Sequence, residues 1–171
     1  MEKITKTIKI KYSYGYDEVS TKVMSSSIHY ISSPLTYIIN RMLSSGVFPS
    51  RLKFAEVTPL FKTGEKNNVC NYRPISLLTS FSKIFEKVIH NRLTQHINNN
   101  QILTAAQFGF RYKSSTDLAA YALTHEILTA LNNKITVGGI FCDLHKAFDC
   151  VNHGTLLSKM EFYGIVVLPA E

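Results

Sequence analysis

Residues 140–153 read IFCDLHKAFDCVNH. Two carboxylates, Asp143 and Asp149, stand six apart in this run, each beside bulky apolar residues. Burying a carboxylate is costly unless something offsets its charge. Three readings fit these residue types. A carboxylate oxygen can hold a divalent cation at a catalytic centre. Cys142, His145, Cys150 and His153 have ligand types and spacings that zinc accepts. An ordinary strand end with a solvated aspartate fits as well. A compact zinc knuckle needs turns and small residues between its ligands, whereas the spacers Leu144, Ala147, Phe148 and Val151 want a core. On a strand, Cys142 and His145 would also point to opposite faces. Cys142 reads more simply as a small buried hydrophobe.

The elements that would carry these residues are legible in the periodicity. Thr136 to Leu144 reads as a strand, with Ile140, Cys142 and Leu144 on one face and Phe141, Asp143 and His145 on the other. A helix follows over about 154–163, with Leu156, Leu157 and Met160 inward and Gly164 after it. Upstream, Ser33-Pro34 reads as a helix start, with Ser as N-cap and Pro at the first helical position. Leu35, Ile38, Ile39, Met42 and Leu43 follow at helical spacing, and Gly46 ends the run. Residues 53–62 read as a strand, which Pro59 confines to a sheet edge. The turn TGEKNN and the return VCNYRPIS complete a long, basic hairpin. A helix over about 78–97 carries the stripe Leu78, Phe81, Phe85, Val88, Ile89 and Leu93. The polar loop 107–117 leads to a helix over about 117–132, capped within Ser115 to Asp117, with Leu118, Tyr121, Ala122, Leu128 and Leu131 inward. The pattern is α+β with few strands.

Composition bounds the function. The chain has 171 residues, enough to bury roughly 70% of the surface that its unfolded form exposes. Ten Phe and nine Tyr within a hydrophobic share of 45% supply a core, which argues against wholesale disorder. The net charge of +7 favours an acidic partner, and nucleic acid is the commonest one. Three cysteines without a C-x-x-C pattern give neither a disulfide framework nor a zinc ribbon, and fit a reducing compartment. The first 20 residues contain no apolar core of a secretory signal, and no apolar run reaches the ~18 residues of a membrane span. The expectation is an intracellular protein, nuclear or cytoplasmic, without membrane contact.

The run FCDLHKAFDCVNH resembles motif A of the reverse transcriptases of non-LTR, LINE-like retrotransposons, with the jockey group of insects the nearest. GYDEVSTKV (15–23) is similar to the segment leading into that family's fingers. Residues 46–93, from GVFPSRLK to IHNRL, resemble its fingers block. QFGFRYKSST (107–116) is similar to the next block. Four blocks in order cover about residues 15–165. The resemblance implies a partial right-hand polymerase fold: helical fingers with a β-hairpin, plus the first palm strand and helix. It divides the chain into an N-terminal segment (1–14), fingers (15–135) and the start of the palm (136–171). The implied activity is RNA-directed DNA polymerisation with an RNA template, a DNA primer and dNTPs.

Residue roles follow from the resemblance as expectations. Asp143 would be a catalytic metal ligand, with the Leu144 carbonyl near a second Mg²⁺. Lys62 and Arg73 would grip the triphosphate on the hairpin, Lys as a point charge and Arg as a bidentate fork. Phe148 would pack under the sugar of the dNTP; a plain core Phe is its alternative. Gln107, Gly109 and Arg111 would approach the template, Gly109 letting the backbone come close and Arg111 meeting phosphate. Asp149 would accept hydrogen bonds at the turn that follows it.

One departure from the family pattern sets a limit. The polymerase site needs a further carboxylate pair, usually a Tyr- or Phe-x-Asp-Asp hairpin downstream. The aspartates here are Asp17, Asp117, Asp143 and Asp149, with no adjacent pair. The chain is therefore expected to be a truncated reverse transcriptase domain, inactive alone. The alternative is a non-catalytic basic fragment that binds nucleic acid.

Overall fold

A computed structural model describes residues 2–144 and 147–165. The elements run α1 (Glu2–Thr5), α2 (Thr21–Ser45), β1 (Ala55–Phe61), β2 (Tyr72–Leu78), α3 (Ser80–Asn99), α4 (Thr116–Asn132) and α5 (His153–Phe162). Single 3₁₀ turns precede each strand, at Ser50–Lys53 and Val69–Asn71. The mixture of helices with one antiparallel pair is α+β, as expected. The described residues form two compact units that divide between Gln95 and His96.

The core lies in the first unit. Met24, Ile28, Leu35, Ile39 and Met42 of α2 meet Ile84, Phe85 and Val88 of α3, all buried. Phe48 closes the cluster edge-to-face on Phe85, ring centroids 6.1 Å apart. Ile84 is fully buried, although the stripe read from the sequence passed it over.

The start of α2 corrects the sequence reading. The helix begins at Thr21, and Ser20 is its N-cap, accepting the Val23 N–H at 3.3 Å. Pro34 lies inside the helix. An interior proline removes one helical hydrogen bond and costs about 3 kcal/mol or more. The apolar stripe from Met24 to Met42 runs through it, and burying five large side chains outweighs that cost. Gly46 ends the helix as read, in the left-handed region (φ 72°), with its N–H bonded to Met42 O at 2.9 Å.

Three buried hydroxyls open α3. Thr79 caps it, its Oγ1 accepting the Ser82 N–H at 3.0 Å. Ser80 Oγ donates to Val19 O at 2.7 Å, and Ser82 Oγ donates to Leu52 O at 2.9 Å. Gly15 is seated on the same junction: a Cβ there would stand 2.8 Å from Thr79 N.

In the second unit the helix ends match the sequence. Ser115 caps α4 on the Leu118 N–H, and Asn152 caps α5 on the Thr155 N–H. Each helix closes with the paired carbonyl bonds of a Schellman turn, at Lys134–Ile135 after α4 and at Gly164–Ile165 after α5. The inward faces do not match. Leu118, Tyr121, Leu128 and Leu131 of α4 and Leu156 and Leu157 of α5 are exposed. Residues 136–144 carry no regular secondary structure, against the expected strand. A strand exists only by exchanging hydrogen bonds with a neighbour, and among the described residues the one sheet is β1–β2.

Phe85→Ala is expected to lower the unfolding free energy by about 3–5 kcal/mol in urea titrations. Gly15→Ala is expected to destabilise as well, because the added methyl meets backbone, whereas Tyr30→Ala, at an exposed position, leaves the midpoint unchanged.

Candidate functional site

The hairpin positions the first pair of expected site residues. β1 and β2 pair antiparallel with Leu60 opposite Arg73 and Phe61 opposite Tyr72. The Lys62 N–H bonds to Asn71 O at 2.8 Å, which carries the register one rung further. Side chains alternate along each strand, so Lys62, Leu60 and Arg73 share a face, and Lys62 and Arg73 sit two rungs apart along it. Both are exposed. At the tip, Asn71 Nδ2 donates to Glu65 O and Tyr72 Oη to Lys66 O, each at 2.9 Å. Pro59 stands opposite Pro74. Counting from the Lys62–Asn71 bond, their rung is one whose N–H groups point outward, so neither proline removes a ladder bond.

The remaining expected site residues lie in the second unit. In the loop after α3, Gln107 Nε2 donates to Gly109 O at 3.1 Å and Arg111 Nη1 to Thr104 O at 2.8 Å. A guanidinium has five donor hydrogens, so one such bond leaves Arg111 most of its capacity. Nothing lies within 4 Å of where a Cβ on Gly109 would stand. Phe110 holds a left-handed conformation (φ 59°) and meets Phe148 edge-to-face at 6.3 Å. That contact brings the QFGF loop and the turn after Asp143 together. Sequence reasoning named Phe148 and overlooked Phe110.

Asp143 is exposed, and among the described residues its carboxylate has no hydrogen-bond or ion-pair partner. Leu144 is exposed beside it. Phe148 is 81% exposed, which excludes the plain core reading within this chain. Asp149 is exposed in the turn, and the helix start that follows is capped by Asn152 instead. Cys142 is exposed, against the expected burial, because residues 136–144 have no sheet to turn it inward. His145, which completes the zinc spacing, lies outside the described residues. Among the described residues no three His, Cys, Asp or Glu side chains gather as a metal site, so Cys142, Cys150 and His153 are not brought together.

The sequence matches the family described as Reverse transcriptase (RNA-dependent DNA polymerase) over residues 64–167. The chain belongs to the reverse transcriptase family. Similar proteins place it among those of retrotransposons. It is 35% identical to a probable RNA-directed DNA polymerase from transposon BS of Drosophila melanogaster, over 94% of this chain and 18% of that protein. It is 38% identical to the RNA-directed DNA polymerase from mobile element jockey of the same fly, over 73% of this chain and 14% of that protein. A probable RNA-directed DNA polymerase from transposon X-element, also of Drosophila melanogaster, is 30% identical over 86% of this chain and 16% of its own length. The chain thus spans less than a fifth of the relatives it matches. The non-LTR, jockey-like resemblance of its four blocks is borne out. Among the described residues no helix is long and apolar enough to cross a membrane.

Thiol labelling checks the environment of residues 136–144. With Cys70 and Cys150 replaced by Ser, Cys142 is expected to react with an aromatic disulfide reagent at a rate that urea does not raise. Strong protection in the native chain would show that residues 136–144 are packed.

Proposed function

We propose that this reverse transcriptase chain supplies the fingers and the first metal-binding segment of an RNA-directed DNA polymerase. Residues 15–135 form the fingers and residues from 136 onward begin the palm. In the reaction a primer 3′-oxygen bonds to the α-phosphorus of a dNTP as the bond to pyrophosphate breaks. Lys62 and Arg73 hold the triphosphate, Arg73 through two parallel N–H bonds. The observation that carries this reading is the hairpin register, which puts the two cations on one exposed face, near each other along the ladder. Phe148 lies under the sugar, and Gln107, Gly109 and Arg111 meet the template strand.

Asp143 and the Leu144 carbonyl offer the hard oxygen donors that suit Mg²⁺. Bound there, the metal would lower the charge on the reacting oxygens. A two-metal site needs more carboxylates than Asp143, and these 171 residues contain no adjacent aspartate pair. By themselves they therefore do not polymerise. The second reading, a non-catalytic fragment that binds nucleic acid, rests on the +7 charge.

Primer extension separates the two. With RNA template, DNA primer, dNTPs and Mg²⁺, the 171-residue chain is expected to give no product. Grafted over the matching segment of a full-length relative, it is expected to give product that Asp143→Asn abolishes. Lys62→Ala and Arg73→Ala in the graft should each weaken dNTP use by roughly 10–100-fold, the worth of a charge-assisted hydrogen bond. Synthesis by the 171-residue chain alone, or an active graft indifferent to Asp143→Asn, overturns the proposal.

A further inference from the structure

Phe110 stands in a left-handed backbone conformation, φ 59°. That region crowds a side chain against its own backbone, so a bulky residue keeps it only where the surroundings over-determine it. Glycine takes it freely, yet the glycine of this loop is the neighbour, Gly109, whose own φ is not positive. Hydrogen bonds fix the chain on both sides of Phe110. Gln107 Nε2 donates to Gly109 O at 3.1 Å, and Arg111 Nη1 reaches back to Thr104 O at 2.8 Å. The ring gains little from burial, since it is 95% exposed. It meets Phe148, with 6.3 Å between centroids and 86° between planes. The chain thus keeps a phenylalanine where glycine would suit the backbone better, and the strained conformation aims that ring at Phe148.

Phe148 needs such a neighbour. It lies in a turn and is 81% exposed, so without a partner its ring would exchange rotamers freely. A ring can reject a 2′-hydroxyl only if it cannot swing aside to admit one. An edge-to-face contact blocks that swing on one side and leaves the rest of the ring open to a sugar. A phenylalanine that merely packed the loop would be buried in it, and Phe110 is not. We propose that Phe110 is a positioning residue that holds the ring of Phe148 and thereby sets the preference for deoxyribose over ribose in the incoming nucleotide. The inference rests on the role proposed above for Phe148. Phe110 acts through that ring and not on the nucleotide.

Two substitutions separate the ring from the backbone that carries it. Phe110→Gly removes the ring and suits the conformation, so the urea midpoint of the 171-residue chain is not expected to fall. Phe110→Tyr keeps the ring. In the 171-residue chain labelled with para-fluorophenylalanine, the Phe148 fluorine resonance is identified by its loss in Phe148→Leu. It should shift in Phe110→Gly and stay in place in Phe110→Tyr. Selection is read in the graft described above, with dNTPs and rNTPs offered separately. Phe110→Gly should lower the ratio of kcat/KM for dNTP over rNTP by roughly 3–10-fold, the worth of an aromatic pair, chiefly through a lower KM for rNTP. Phe110→Tyr should keep the ratio of the unaltered graft. In a Phe148→Ala background Phe110→Gly should change the ratio no further. A fluorine signal that does not move, a ratio that Phe110→Gly leaves alone, a Tyr variant as permissive as the Gly variant, or additivity with Phe148→Ala overturns the inference while the polymerase reading stands. A graft without Asp143-dependent product overturns both.

Discussion

The buried hydroxyl junction at the start of α3 ties three segments of the first unit together. Thr79, Ser80 and Ser82 would be poor core residues on hydropathy alone, because a buried hydroxyl without a partner costs a few kcal/mol. Each is satisfied, and each bond reaches a different segment: the helix itself, the residue before the cap of α2, and the end of the first 3₁₀ turn. Among the described residues no buried side-chain polar atom lacks a partner. The junction lies where β2 ends and α3 begins. It leaves room for Gly15 alone, so it anchors the segment that leads into α2. Direction comes from these hydrogen bonds, while most of the stabilisation comes from the apolar contact of α2 with α3.

The hairpin shows how two prolines can define a strand pair that projects into solvent. A two-stranded ribbon is marginal in water and presents two open edges. Pro59 and Pro74 face each other on a rung whose N–H groups would point outward. Their missing donors thus fall on the edges and leave the ladder whole. Each edge loses a donor at its middle, which hinders pairing with another chain. The same parity commits Lys62 and Arg73 to a common face. Shifting β2 by one residue would send Arg73 to the opposite side.

Local chemistry was the legible part of the sequence. Ser115 before an apolar-periodic run and Gly46 and Gly164 after one are signals read within a turn, and the structure keeps all three. Pro34 misled because the cost of an interior proline is local while the stripe that outweighs it spans Met24 to Met42. Ile84 escaped because the stripe was drawn through the aromatic and branched residues on either side of it. The hairpin was legible because its strands are close in sequence and its turn is polar. The segment 136–144 was not, because alternation of apolar residues describes what a strand would bury and says nothing of whether a neighbour is there to pair with it.

That distinction governs the candidate site as well. Resemblance to the family's blocks is what proposes roles for Asp143, Phe148, Gln107, Gly109 and Arg111, and no local rule would have suggested them. What physical reading adds is the relation between them. The Phe110–Phe148 edge-to-face contact ties the loop that carries Arg111 to the turn that follows Asp143, although the two rings are far apart in the chain. Such a contact is worth only about 0.5–1.5 kcal/mol beyond the area it buries. It matters because both rings are otherwise exposed and both lie in turns, where little else restrains the backbone. A carboxylate can take part in phosphoryl transfer only if its distance to the substrate is held. In the second unit, where no described helix residue of α4 or α5 is buried, an aromatic pair between two turns is the kind of restraint available to position Asp143 for the role proposed for it.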